Sequence, residues 1–75
     1  MTARTLTMAV HAAAFLPTVL SAFALRVDEF TVRDDRGGSG SWLVETNRLP
    51  QETIIDLLEV LPVHMASVHA FGDSV

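Results

Sequence analysis

The chain has 75 residues, nine acidic side chains against five basic ones, a net charge of −4 and no cysteine. One small domain is all that this length holds; so short a chain buries only about 60% of its unfolded surface, and a second copy would add core. The missing thiols exclude a disulfide framework, a thiolate zinc site and a cysteine nucleophile, and the scattered basic residues form no stripe to neutralise phosphates, which leaves nucleic-acid binding without support.

Residues 5–25 carry no Asp, Glu, Lys or Arg, and Arg4 and Arg26 bracket them. That length suits a membrane span. The composition does not, because Ala and Thr add little insertion energy and His11 and Pro17 fall inside. Ala22-Phe23-Ala24 fits a small-x-small cleavage site, but the leading segment has a single Arg and an interrupted apolar run. Both the spanning and the exported readings stand as minor alternatives to a cytoplasmic one.

The period decides for a folded domain. In RTLTMAVH, Leu6, Met8 and Val10 alternate with Thr5, Thr7, Ala9 and His11, as a half-buried strand requires. In AAAFLPTVLSAFA, Phe15, Leu16, Val19, Leu20 and Phe23 share one helical face. Pro17 is tolerated only in a first turn, so the pattern predicts a short helix starting near Ala14. LRVDEFTVRDD follows with Val27, Phe30 and Val32 spaced by three and then two, which predicts a strand with a bulge or face switch near Asp28 and Glu29. RGGSG, residues 36–40, reads as a hairpin loop, and SWLVETN as the returning strand with Trp42, Val44 and Thr46 on one face.

RLPQETIIDLLEVLP is the clearest helix. Pro50 opens it, Glu52 lies in the first turn, Ile54, Leu57, Leu58 and Leu61 repeat at helical spacing, and Pro62 stops it. VHMASVHAF alternates once more from Val63, apolar residues lie on both of its sides, and Gly72 marks its end. The predicted order is strand, helix, strand, strand, helix, strand. That is an α+β domain over residues 1–75 of the ferredoxin-like βαββαβ kind, with a four-stranded antiparallel sheet and two helices on one face.

On these residues the chain resembles an ACT domain, and within that family the regulatory small subunits of acetolactate synthase. Leu16, Val19 and Phe23 fit the family's first helix. Val27, Phe30 and Val32 fit its second strand, Leu58 and Leu61 its second helix, and Val63 to Val68 its return strand. The resemblance implies a non-catalytic regulatory subunit without a cofactor. It would pair with a copy of itself through the second strand and first helix, bind a partner enzyme of amino-acid metabolism, and take a small amino-acid effector at the dimer cleft. The effector residues implied are His11, Ala13, Ala14 and Phe15 at the first turn, and Val27, Asp28 and Glu29 entering the second strand.

Two departures accompany the likeness. Ala14 stands where the family has a glycine, and the junction between helix and second strand is about three residues shorter. These departures favour an alternative, a protein-interaction module of the same fold that takes no small molecule.

The remaining chemistry is sparse. His64 and His69, five apart, fall on opposite sides of a strand and make no metal pair. RDDRGGSG lacks the Lys-Ser/Thr of a phosphate loop and precedes no helix. Ser39, Ser41 and Ser67 have no nucleophile elbow. Trp42 reads as a core or interface aromatic.

Overall fold

The computed structural model describes residues 3–34 and 42–73. Strand β1, Ala3–Val10, follows the sequence alternation: Leu6, Met8 and Val10 are fully buried and the residues between them only half-buried. The uncharged leading segment is therefore divided between a strand and a short helix. Among the described residues no helix is long and apolar enough to cross a membrane.

Helix α1, Leu16–Ala24, is entered through a single 3-10 turn at Ala13–Phe15, and Pro17 sits in its first turn. Val19 and Phe23 are its buried anchors, and Phe15, Leu16, Leu20 and Ala22 pack around them. The helix closes where the N–H groups of Arg26 and Val27 donate to the Phe23 carbonyl at 3.0 and 2.8 Å. Arg26 ties this end to the second helix, its Nε donating to Asp56 Oδ2 at 2.5 Å.

Strand β2, Phe30–Asp34, corrects one expectation. Its pairing with β3, Trp42–Thr46, runs without interruption from Phe30↔Thr46 to Asp34↔Trp42, and Asp28 and Glu29 lie before the strand, so neither is a bulge within it. The uneven apolar spacing has another cause. Val27 lies before the strand and is tucked into the core from the connecting segment. The predicted glycine-rich loop at 36–40 lies outside the described residues. Trp42, Val44 and Thr46 share the side that pairs opposite Val10, Met8 and Leu6, as predicted.

The sheet has five strands where four were expected. The addition is β4, Leu49–Pro50, which pairs with Ala3 and Arg4. Arg4 pairs on its other side with Asp73 of β5, so β4 lies along β1 on the same side as β3. Between Thr7↔Glu45 and Arg4↔Leu49 the register moves by one residue. The fifth strand is thus a short continuation of β3 after a break. At that break Leu6 N–H donates to Thr46 Oγ1 at 3.1 Å.

Helix α2, Gln51–Val60, begins after Pro50 with Glu52 in its first turn, where a carboxylate suits the helix dipole. Ile54, Leu57 and Leu61 are buried. Leu58, expected among them, is 39% exposed and stands with Ile55 on an outer flank. Strand β5, Ala66–Asp73, starts later than the alternation from Val63 predicts and runs through Gly72 instead of ending there. Its register against β1 slips between Met8↔Val68 and Thr7↔Ala70, a bulge at His69. That bulge is why neither alternating set alone faces inward: Val68 lies opposite Met8, and Phe71 opposite Leu6.

All pairings are antiparallel, with β2 and β5 at the two edges and β3 and β1 between them. Helix α1 covers the β2 side, where the Phe23 and Phe30 rings meet at 5.7 Å. Helix α2 covers the β5 side, where Ile54, Ile55 and Leu58 border Phe71.

Candidate functional site

The seven residues implied for effector binding separate into two groups at opposite ends of α1. At the first end, β1 stops at Val10, opposite Trp42 and Ala66, and the His11 N–H donates to the Met65 carbonyl at 2.9 Å. The His11 side chain is exposed, as are Ala13 and Ala14. The turn is held by the Phe15 N–H donating to the Ala12 carbonyl at 3.0 Å. A 3-10 turn needs only ordinary negative φ, so Ala14 fits where the family has glycine. Phe15 is half-buried, and His64 meets it edge-on at 5.7 Å between ring centroids. His64 lies in the turn before β5 and not in a strand.

At the other end, Val27 is buried while Asp28 and Glu29 are exposed. The nine residues of α1 lie between the two groups, about 13 Å of helix. Within one chain the two groups therefore stand apart, at opposite ends of α1.

The second group borders a depression. Asp28, Glu29, Phe30, Thr31, Glu45, Thr46 and Asn47 line an open depression of about 540 Å³. Asn47 Nδ2 donates to Glu29 Oε2 at 2.8 Å, and Arg33 pairs with Glu45 at 3.1 Å across β2 and β3. Three carboxylates around a solvent-open depression suit an ammonium group, weakly, because water screens them. Glu45 and Asn47 were not among the expected residues. The hairpin register that places Glu45 opposite Thr31 is the signal that leads to the first of them.

A second concavity was not foreseen. Arg4, Gln51, Ile54, Ile55, Leu58 and Phe71 form a groove of about 150 Å³ between α2 and the β5 edge. The Arg4 guanidinium lies 5.7 Å from the Phe71 ring centroid, within cation–π range. Among the described residues no three His, Cys, Asp or Glu side chains are grouped to hold a metal ion. No family model matches the chain, nor does any curated protein or solved structure. The likeness to ACT domains thus rests on the spacing of this chain's own apolar residues.

Proposed function

We propose that the chain is a ferredoxin-like interaction module, a non-catalytic cytoplasmic subunit that pairs with its own copy and works by contact with a partner enzyme. The strand order supports the fold, once β4 is counted as the tail of β3. One observation carries the functional half: the implied effector residues divide between two ends of α1, while among the described residues no further strand pairs outside β2 or β5. Main-chain edges attract protein partners whether or not a small molecule binds.

The resemblance names the partner to try first, a catalytic subunit of acetolactate synthase from the same cell. Mixing the two purified proteins tests this. Co-sedimentation with a changed rate or changed feedback sensitivity supports the reading, and two independent boundaries with unchanged activity count against that partner.

The second reading keeps the amino-acid effector. Its motive is geometric: an antiparallel pair formed through α1 and β2 would bring the first turn of one copy beside Asp28 and Glu29 of the other. Ligand would then favour one arrangement of the pair, which the partner enzyme senses. Calorimetric titration with valine, leucine and isoleucine separates the readings, since only this one predicts saturable heat.

A further inference from the structure

We propose that the chain self-associates through the β5 edge, two copies pairing antiparallel about a two-fold axis between His69 and Ala70. This goes beyond the reading above, which leaves the interface open, and it does not depend on any effector. The first ground is charge. The β2 edge carries Arg33 and Asp34 and is preceded by Asp28 and Glu29, the kind of charging that keeps an edge in solvent. Residues 66–72 of β5 carry no Asp, Glu, Lys or Arg, in a chain whose net charge of −4 opposes association elsewhere.

The second ground is the apolar surface beside that edge. Val68 and Phe71 of β5 are exposed, as are Ile55 and Leu58 of α2 above them. Ile55 and Leu58 widen the apolar arc of α2 beyond its buried residues, and with Phe71 of β5 they line the groove already described.

The third ground names the occupant. Two hydrogen bonds fix which main-chain groups point outward. The Met65 carbonyl accepts from His11 of β1, so by alternation Ala66 and Val68 turn away from β1. Leu6 donates to Thr46 on the β3 side, so Thr5 and Thr7 turn towards β5. Their partners Gly72 and Ala70 turn back to β1, which leaves Phe71 facing outward. The bulge at His69 makes Val68 and Phe71 consecutive outward residues three apart. A regular strand has period two and matches only one of them. A second β5 run antiparallel has the same interruption in the mirrored place, so Val68 meets Phe71 of the copy on both sides of the axis. Each pair then lies on the helix side of the sheet, beneath Leu58 and Ile55.

Sedimentation equilibrium of the full chain tests the proposal. The expected mass is twice the 8.2 kDa of one chain. Val68→Lys and Phe71→Lys should each halve it, and Val32→Lys on the β2 edge should leave it unchanged. A second measurement, amide exchange of the unmodified chain by NMR, needs no variant to fold. Met8 shares Leu6's direction towards β3, so Val44 faces β1 and its other partner Val32 faces outward; Val68 and Phe71 amides should exchange far more slowly than that Val32 amide. A monomeric chain at NMR concentrations overturns the proposal. So does a dimer that Val32→Lys dissolves and Val68→Lys leaves intact, or fast exchange at both Val68 and Phe71.

Discussion

The Thr46 hydroxyl accepts the Leu6 amide at 3.1 Å at the place where β3 breaks off and its main chain no longer pairs with β1. The same oxygen lies 2.8 Å from the Asn47 carbonyl and 3.4 Å from that of Leu6, so its own proton has an acceptor within reach. The side chain is buried, and Leu6 is fully buried opposite it. Thr46→Val keeps the shape and removes the acceptor. It should cost about 1–3 kcal/mol, the range for orphaning a buried polar group. Thr46→Ser retains the hydroxyl and should lose less than half as much. Urea denaturation of the three proteins checks the order.

Gly72 lies within β5 directly opposite Thr5 of β1. A Cβ at position 72 would overlap Thr5 Oγ1 across the β1–β5 pair. Gly72→Ala should therefore destabilise by about 1–3 kcal/mol, the usual cost of overpacking. Thr5→Ala removes the obstructing oxygen, so the double variant should recover most of that loss. Additive losses in a thermal double-mutant cycle would show that the two residues do not compete for space.

Phe23 joins α1 to the sheet. It is fully buried, and its ring meets Phe30 of β2 at 5.7 Å. Phe23→Ala should cost about 3–5 kcal/mol. A 75-residue domain has only about 4–11 kcal/mol in total, so this one substitution should remove between about a quarter and all of the stability. Far-UV circular dichroism reads the unfolded fraction directly.

These residues also show how much the sequence displays. Leu6, Met8 and Val10 alternate because one strand face is buried, and Val19 and Phe23 fall on one helical stripe, so this part of the core was legible from period alone. Val27 was misplaced because a buried residue in a connecting segment imitates a strand position. Leu58 was placed inside because helical spacing gives an apolar arc without saying where the sheet beneath it stops. The break between β3 and β4 and the bulge at His69 depend on how three strands fit together, and no local pattern records that. That His11 and Glu29 are exposed polar residues at chain turns was legible. Their separation by the length of α1 needed the fold.

Arg26 holds the end of α1 to α2. Its Nε donates to Asp56 at 2.5 Å, and a second guanidinium nitrogen donates to the Ala22 carbonyl at 3.2 Å near the helix C-terminus. The Asp56 side chain is more than half exposed, so the pair itself is worth at most about 1 kcal/mol. Arg26→Ala should cost more than Asp56→Asn, because it also removes the bond to Ala22. The coupling between the two substitutions should shrink as salt is raised. Denaturation cycles at low and high salt measure it.

The account turns on which edge pairs, because pairing through β5 leaves His11 and Glu29 of the two copies far apart, whereas the effector reading needs pairing through β2 and α1. The chain has no cysteine, so Ser21→Cys on the exposed side of α1 gives one spin-label position per copy. Strands lie about 4.8 Å apart, so β5 pairing puts the two α1 helices about 30 Å from each other and β2 pairing about 10 Å. A pulsed dipolar measurement on the dimer should give the long distance, and a distribution centred near the short one would contradict the account.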